Sequence, residues 1–441
     1  MATIYVRTTG NDSTGDGSTG TPYLTVAKAL TVAAGGDMIL IGDGTYAENT
    51  SSAGLLTVPN TSYTGRLVIA PESGLPDKVT ITGTSAAYAM TIGTTAHLYF
   101  DQITFQGQAS ATTATVRFIG DCSDIYFSRC KFLARSASGS TPLCVTTAWT
   151  TGGWTPDNIV FANCTFDQIG PYASGGIVMD AASAAPTDIE IRDCDFRLGS
   201  FGIRLLGIAN ARIRGNRVNS WSPLVSAHAL QFGVDGATGT ACSGDVSGNY
   251  FRTVNGHAAV IGAGCNGVFV ADNRFHGGSN STNGQGLVIK EAQNVRIENN
   301  LITSGYLSGL YFKAAVDCQA IGNRIYNEHA NSPAIRVGVN SEDSLPCQRI
   351  TVRRNYVCAV AGTVFGWDSS AGDSGGSVCD ENVYTIRGSA AYGSIRGNTV
   401  TTLSGIRGAW SAYDRPNNDR HSRLGDSAVA YSAVPQALLP A

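Results

Sequence analysis

Charged residues are scarce in this chain. Asp, Glu, Lys and Arg make up 14% of its 441 residues, against about 25% in an average globular protein. The 30 basic and 33 acidic residues leave a formal net charge of −3, which provides no positive field for nucleic acid. Because 43% of the residues are hydrophobic, the composition also excludes intrinsic disorder. It predicts a folded protein with no nucleic-acid partner.

Signals for membrane insertion, export and metal binding are missing as well. No apolar run reaches the ~18 residues that a membrane-spanning helix needs, so we expect no membrane insertion. Residues 1–7 lack the basic and apolar regions of a signal peptide, which predicts synthesis in the cytoplasm without that signal. The 11 Cys include no CxxC pair and the 6 His have no ligand spacing. We therefore predict buried Cys, no metal site and no cofactor.

A short motif recurs through most of the chain. Each copy has a β-rich triplet, then Cys or Asn, then one variable residue and then an apolar residue. An earlier copy has Ile103 at the Cys or Asn position. Nine intervals over 252 residues give a mean period of 28, which is typical of stacked coils in a solenoid. We expect the turn Asn to adopt left-handed backbone and to bond to its copy one coil away. The Cys or Asn positions are Cys130, Cys164, Cys194, Asn216, Asn249, Asn273, Asn300, Asn323 and Asn355.

A second strand follows each turn, and alternation along it predicts which side chains face the core. Side chains two residues apart share one face of a strand, so two apolar columns should lie inside and the columns between them outside. The first inner column is Ile177, Ile203, Leu230, Val260, Leu287, Leu310 and Ile335, and the second is Met179, Leu205, Phe232, Gly262, Ile289, Phe312 and Val337.

The two ends of the chain differ from the repeats. Residues 21–36 predict a short amphipathic helix, with Pro22 near its start and Gly35 past its end. We predict an N-terminal cap over 1–50, a solenoid body over 51–407 and a C-terminal cap or association segment over 408–441. Asn11-Asp12 and Asp16-Gly17 loosely match a calcium loop but lack the spacing and terminal Glu of an EF-hand. A turn-rich cap is the expected structure there, with calcium as the alternative.

The opening residues 5–25, the stretch 36–46 and the repeats resemble right-handed parallel β-helix proteins of the pectate-lyase-like superfamily. The likeness covers about residues 3–405, and Trp410, Asp419, His421 and Ser422 are similar to the way some of these chains close. The resemblance implies an all-β, single-stranded right-handed parallel β-helix of ten or more coils with an N-terminal capping helix. The superfamily includes polysaccharide lyases, uronate epimerases and phage tailspikes, so the fold leaves the chemistry open.

In these families the polysaccharide groove commonly runs along the sheet whose strands are aligned above. Its outward positions imply substrate contacts from Asp180, Arg204, Gln231, Tyr311 and Glu291. The chain has only five Lys, and Lys290 and Lys313 fall on adjacent coils of one column, with Arg336 on the next coil. Stacked ammonium groups lower a pKa, so we predict Lys290, Lys313 and Arg336 as catalytic residues.

That cluster favours β-elimination on an acidic polysaccharide, in which a cation neutralises a uronate carboxylate and Lys or Arg abstracts the neighbouring proton. A hydrolase would need two carboxyl groups flanking the glycosidic bond, and this face does not supply them. Connections after Arg336 offer Glu342, Asp343, Asp368 and Asp373, for which solvated loop positions are the expected role. If the protein is an enzyme, a lyase is therefore favoured over a hydrolase.

Aromatic residues concentrate in the connections, where they would either grip glycans or fold back onto the solenoid. Both roles stay open for Trp149, Trp154, Tyr172, Trp221, Trp367 and Trp410.

Three functions fit these observations. The favoured one is a virion-associated protein, such as a phage tailspike, that binds and in some cases depolymerises host surface polysaccharide. Its expected location is the virion or the extracellular space, and its expected partners are an acidic polysaccharide, two further copies in a homotrimer, and other virion proteins. The second is a secreted polysaccharide lyase or epimerase acting on an acidic glycan. The third is a noncatalytic structural or decoration protein.

Overall fold

Two compact units make up the chain in the computed structural model. Unit 1 contains Met1–Val225 and Thr240–Cys242, and unit 2 contains Ser226–Gly239 and Ser243–Ala441. The predicted division into cap, body and C-terminal segment stays a prediction. The structure describes residues 1–48, 55–83, 88–107, 114–135, 141–147, 156–170, 174–180, 186–221, 228–234, 240–279, 284–329, 332–338, 346–367, 377–386, 391–395, 398–400, 402–404 and 422–424.

Unit 1 contains one short helix and 21 strands in its described part. In chain order these are β1 (Thr3–Val6), α1 (Val26–Val32), β2 (Met38–Ile41), β3 (Gly44–Glu48), β4 (Leu56–Val58), β5 (Ser62–Pro71), β6 (Val79–Gly83), β7 (Met90–Ile92), β8 (Ala96–Asp101), β9 (Ile103–Gln106), β10 (Ala114–Phe118), β11 (Ser123–Ser128), β12 (Lys131–Arg135), β13 (Leu143–Thr147), β14 (Asp157–Ala162), β15 (Thr165–Ile169), β16 (Gly175–Asp180), β17 (Glu190–Arg192), β18 (Asp195–Leu198), β19 (Ile203–Leu206), β20 (Ala211–Arg214) and β21 (Arg217–Ser220).

Unit 2 continues with strands alone in its described elements, apart from two helical residues at 403–404. They are β22 (Leu230–Phe232), β23 (Cys242–Ser247, from its second residue), β24 (Tyr250–Thr253), β25 (Ala259–Ile261), β26 (Cys265–Ala271), β27 (Arg274–His276), β28 (Leu287–Lys290), β29 (Arg296–Glu298), β30 (Leu301–Ser304), β31 (Leu310–Lys313), β32 (Gln319–Ile321), β33 (Arg324–Asn327), β34 (Ile335–Gly338), β35 (Thr351–Arg353), β36 (Tyr356–Ala359), β37 (Thr363–Trp367), β38 (Val378–Asp380), β39 (Val383–Ile386), β40 (Ala391–Ile395), β41 (Asn398–Val400) and β42 (Arg423–Leu424).

Three sheets run through each unit, and each coil of the chain adds one strand to each. In unit 1, sheet A is β1-β2-β5-β8-β11-β14-β17-β20, sheet B is β3-β6-β9-β12-β15-β18-β21 and sheet C is β4-β7-β10-β13-β16-β19. In unit 2, sheet A is β23-β26-β29-β32-β35-β38, sheet B is β24-β27-β30-β33-β36-β39-β42 and sheet C is β22-β25-β28-β31-β34-β37-β40-β41. The pairs are parallel except β40–β41. Crossovers between parallel strands are almost always right-handed, so the predicted parallel β-helix is confirmed.

Stacked aromatic side chains form much of the core of unit 1. Phe132, Phe166 and Phe196 occupy one inward position on successive strands of sheet B, with ring centroids 4.9 and 4.4 Å apart. All three are fully buried. Offset stacking of this kind adds about 0.5–1.5 kcal/mol per pair beyond area burial, which favours this register over a shifted one.

A ladder of Asn side chains stabilises the turn between sheets A and B in unit 2. In each step the backbone N–H of one Asn donates to the side-chain oxygen of the next coil's Asn, as between Asn273 and Asn300 at 2.9 Å. The predicted bonds between copies are confirmed, but the residue in left-handed conformation is the one before the ladder Asn, such as Asp272 with φ 56° and Asn299 with φ 56°. The ladder is Asn249, Asn273, Asn300, Asn323, Asn355 and Asn382.

Cysteine takes the place of this ladder Asn in part of unit 1. Cys130, Cys164 and Cys194 are buried and form no disulfide. The backbone N–H of Cys164 donates to the Cys194 sulfur at 3.3 Å, and that of Cys194 donates to Asn216 Oδ1 at 3.0 Å. The predicted burial of these Cys side chains is confirmed.

One predicted register is wrong by a single residue. The inner columns were expected to contain Val260 and Gly262, but Ala259 pairs with Leu287 and Ile261 with Ile289. Val260 therefore faces outward. Three consecutive apolar residues satisfy either alternation, so the local pattern could not choose between them.

The N-terminal helix is shorter than predicted, covering Val26–Val32. The Thr25 side chain accepts from Lys28 N at its start, and the carboxylate of Glu48 accepts from Val26 N and Ala27 N. Asp12 accepts from the backbone of Leu24 and Thr25, which fits the expected turn-rich cap. No helix in the described ranges is long and apolar enough to cross a membrane.

Candidate functional site

Sheet C of unit 1 carries two of the predicted substrate-binding residues. Asp180 ends β16, and Arg204 lies two residues before Asp180's register partner Leu206 on β19. Burial raises the pKa of the Asp180 carboxyl, and the charge of Arg204 opposes part of that rise. The Arg204 guanidinium also lies 5.6 Å from the ring centroid of Phe201. The two predicted residues are thus electrostatically coupled within unit 1.

Sheet C of unit 2 brings the predicted catalytic residues onto adjacent strands. Lys290 pairs in register with Lys313, and Tyr311 pairs with Arg336. The Arg336 guanidinium lies 4.9 Å from the Tyr311 ring centroid, within cation–π range. Glu291 follows β28 in left-handed conformation, and its N–H donates to the Lys313 carbonyl at 2.9 Å. Their catalytic and binding roles stay predictions.

The outer face of sheet C in unit 2 is largely buried at these positions. Gln231, Lys290 and Tyr311 are 6%, 7% and 8% exposed. Tyr311 packs with Val260 and Val288 in an apolar cluster of buried residues. The sequence predicted that these side chains face outward but did not predict their burial, because alternation locates a face and does not tell what covers it.

The remaining predicted residues divide between the described and undescribed parts of the chain. Trp367 was expected in a connection but ends β37 and is 5% exposed, whereas Trp221 is 43% exposed. Outside the described residues lie Trp149, Trp154, Tyr172, Glu342, Asp343, Asp368, Asp373, Trp410, Asp419 and His421.

Sequence reasoning missed a pocket of about 280 Å³ in unit 2. It lies where sheet B strands end and their connections begin, across four successive coils. Three glycines allow backbone segments to approach closely: a Cβ on Gly277, Gly278 or Gly305 would lie 2.2–2.5 Å from a backbone oxygen. The lining residues are Arg252, Thr253, Val254, His276, Gly277, Gly278, Ser279, Ser304, Gly305, Glu328 and His329.

His276 lies within hydrogen-bond distance of Thr303 in this pocket. The Thr303 hydroxyl donates its only hydrogen to the Phe275 carbonyl at 3.1 Å, and the same oxygen lies 2.7 Å from His276 Nδ1. Both contacts are satisfied when the neutral imidazole carries its hydrogen on Nδ1 and its lone pair on Nε2. A positioned imidazole with a basic Nε2 is the arrangement that general-base catalysis requires.

Burial and a neighbouring positive charge disfavour the charged form of the His276 ring. Burial lowers the pKa of the imidazole below its ordinary 6.5, and the positive charge of Arg252 lowers it further. Arg252 and His276 are register partners on β24 and β27. The pocket thus combines a neutral base with a guanidinium on the neighbouring strand.

Glu328 and His329 come from a third part of the pocket wall, the connection after β33. The His329 ring lies 5.2 Å from the Tyr306 ring, and the backbone N–H of His329 donates to Asn327 Oδ1 at 3.1 Å. In the described residues, no group of three or more His, Cys, Asp or Glu is placed to hold a metal ion.

A sequence signal for this pocket existed but was weak. Arg252 and His276 stand at the same offset after their turn Asn, three residues beyond Asn249 and Asn273. Aligning the coils by their turn Asn would have placed Arg252 and His276 side by side. Glu328 and His329 carried no comparable signal, because their place depends on the path of a connection.

Comparisons with known proteins give distant similarity. Residues 8–119 match a family described as a protein of unknown function, DUF1565, and no curated protein matches. The A-module of Azotobacter vinelandii mannuronan C-5 epimerase AlgE6 is 14% identical over 84% of this chain and 92% of that chain, with a TM-score of 0.41. The periplasmic alginate epimerase AlgG is 15% identical over 88% and 84%, with a TM-score of 0.45. A GH136 lacto-N-biosidase from Eubacterium ramulus is 10% identical over 96% and 67%, with a TM-score of 0.37.

The assignment of the fold rests on the sheets themselves. Each unit contains three parallel sheets whose strands recur every third strand along the chain. The chain therefore has the right-handed parallel β-helix fold that the sequence predicted.

Proposed function

We propose that this chain acts on an acidic polysaccharide by abstracting the proton next to a uronate carboxylate. The observation that carries the proposal is the unit 2 pocket, where His276 Nδ1 lies 2.7 Å from the Thr303 hydroxyl and Arg252 is the register partner of His276. This is the second function that the sequence suggested, with the base moved from Lys290 to His276.

The chemistry follows from these two side chains. Arg252 pairs with the sugar carboxylate and neutralises its charge, which makes the adjacent C5–H more acidic. His276 Nε2 takes that proton, and the electron pair is delocalised into the carboxylate. Nδ1–H stays bonded to Thr303, so the imidazolium that forms remains oriented.

Two outcomes are open to the resulting anion. If the C4–O bond breaks, its electrons leave with the oxygen, a proton donor completes that hydroxyl, and the polymer is cut by elimination. If a proton returns to C5 from the opposite face, the sugar is epimerised and the polymer stays intact. Glu328 and His329 line the same pocket and are our proposed proton donors for either step.

The test is an assay of the purified chain on polymannuronate and polygalacturonate. Elimination is read from the ultraviolet absorbance of unsaturated uronate, and epimerisation from deuterium at C5 in D2O. We expect His276→Gln to lose at least about 100-fold in kcat/KM, the usual contribution of a general base. His97→Asn is the matched control, because His97 is a half-exposed histidine in unit 1 paired with Asp124.

Two results would count against this assignment. Full activity in His276→Gln, with loss in Lys290→Ala, would return the base to the lysine pair. No elimination and no deuterium uptake on any polyuronate would remove the enzymatic proposal, leaving the noncatalytic role that the sequence also suggested.

A virion-associated role and an extracellular or virion location remain proposals from the sequence. Their test is the mass of the protein in solution and its neighbouring genes. A trimer beside tail or baseplate genes is the expected result, and a strict monomer without such genes would contradict it.

A further inference from the structure

Sheet B of unit 2 presents basic side chains without acidic ones. Its seven strands contain four Arg and one His but no Asp or Glu. Inward positions are apolar or aromatic, such as Phe251 and Phe275, which are buried. The outward positions include Arg252, Arg274 and Arg324.

None of these three guanidinium groups has a carboxylate within 4 Å in the described part of the chain. Other arginines of unit 2 have a carboxylate partner: Arg296 pairs with Glu298, and Arg349 pairs with Asp317 at 2.5 Å. Leaving like charges on one face without counter-ions raises their mutual repulsion. An anionic partner would relieve it.

The register spaces the three arginines along the face. Arg274 pairs with Leu301 and Leu301 with Arg324, so these two arginines are two strands apart, roughly 10 Å. Arg252 is diagonal to Arg274 on the preceding strand. Arg274 and Arg324 are exposed.

Aromatic rings continue the same surface. Tyr326 and Tyr356 lie on β33 and β36 with ring centroids 6.2 Å apart, and both are partly exposed. Sugar rings carry C–H groups that pack on aromatic side chains. Arg252 also lines the pocket, so the surface and the pocket are continuous.

We propose that this arginine face, defined as Arg252, Arg274, Arg324, Tyr326 and Tyr356, binds a linear polyuronate across successive strands and leads it to the pocket. The link to the pocket rests on the proposed function, whereas the binding itself does not. A polyuronate carries one carboxylate per sugar, which is sparser than the one charge per about 1.7 Å of duplex DNA and suits cations two strands apart. The chain's net charge of −3 also opposes nucleic acid.

The experiment measures binding of polymannuronate and polygalacturonate to the full chain by affinity electrophoresis and calorimetry. The test variant is Arg274→Gln/Arg324→Gln. Each exposed charge pair contributes about a two- to fivefold change in affinity, so we expect roughly a tenfold loss and a weaker dependence on salt. The control is Arg296→Gln/Arg353→Gln, which removes the same charge from sheet A of unit 2 and should bind like the wild type.

Binding and turnover separate the two proposals. Loss confined to the sheet B variant supports the arginine face even if no polymer is turned over, in which case only the proposed function fails. Equal loss in both double variants would overturn the arginine face, as would no loss in the sheet B variant. So would absence of polyuronate binding by the wild type at low salt, or tighter binding of single-stranded DNA.

Discussion

At the scale of single residues, His276 depends on its neighbours for both its proton and its charge. The Thr303 hydroxyl contacts both His276 Nδ1 and the Phe275 carbonyl, and both contacts are satisfied when Nδ1 carries the ring hydrogen. Burial and Arg252 then disfavour the imidazolium. A scattered histidine in the sequence becomes a candidate base only through these contacts.

The titration of His276 tests that environment directly. We expect NMR titration to give His276 a pKa below 6.5, and Arg252→Gln to raise that pKa because a neighbouring positive charge is removed. The burial contribution should persist in the variant. Arg197→Gln, in unit 1, is the control and should leave the value unchanged.

The direction in which pH changes the stability follows from the same lowered pKa of His276. Because the folded pKa lies below the unfolded one, the unfolded chain binds more protons as the pH falls below about 6.5. The stability that neutral His276 contributes is therefore lost as the pH falls through that window. A His276 pKa above 6.5 would contradict both expectations.

At the scale of elements, the Asn ladder couples each coil of unit 2 to the next. Asn300 Oδ1 accepts from the backbone and side chain of Asn273, and its Nδ2 donates to Val270 and Asn323. These groups are buried, so removing one Asn side chain of the ladder leaves donors and acceptors unsatisfied on both adjacent coils. The ladder thereby favours one stacking register.

Truncating the side chain of a ladder Asn should therefore destabilise unit 2. We expect Asn300→Ala to lower the free energy of unfolding by about 2–4 kcal/mol, because each unsatisfied buried group costs about 1–3 kcal/mol. Urea unfolding measures this loss in the free energy of unfolding. Asn266→Ala is the control, because Asn266 is exposed and makes one side-chain bond, to Asn294; its effect should stay within about 0.5 kcal/mol. Equal effects would show that the ladder adds nothing specific.

At the scale of the whole chain, both units obtain their stability from repetition instead of covalent cross-links. All 11 Cys lie in the described part of the chain, where they are buried and form no disulfide. Burial raises the pKa of Cys122, Cys144 and Cys318 to about 12. Thiolate is the reactive form, so these groups should be inert in the folded protein.

A thiol titration checks whether the Cys thiols are buried and unreactive in the folded protein. We expect no reaction with an aromatic disulfide reagent under native conditions and 11 reactive thiols in denaturant. A reducing agent should leave the melting temperature unchanged. Fewer than 11 thiols in denaturant would indicate a disulfide, and rapid native reaction would indicate an exposed Cys.

The amino-acid sequence by itself determined the solenoid, because its signals are local and repeated. A turn Cys or Asn recurs every 28 residues on average, and alternation around it marks the inward side chains. The same logic failed at Ala259-Val260-Ile261, where three apolar residues fit either register.

Only the tertiary structure decided where a site could form. The pocket joins Arg252, His276 and Glu328 from strands and connections separated by whole coils, and the length and path of each connection place them. Burial of Lys290 on an outward position likewise depends on what packs over the sheet. Period and alternation describe one strand at a time, whereas a pocket and its charges arise from the stacking of several.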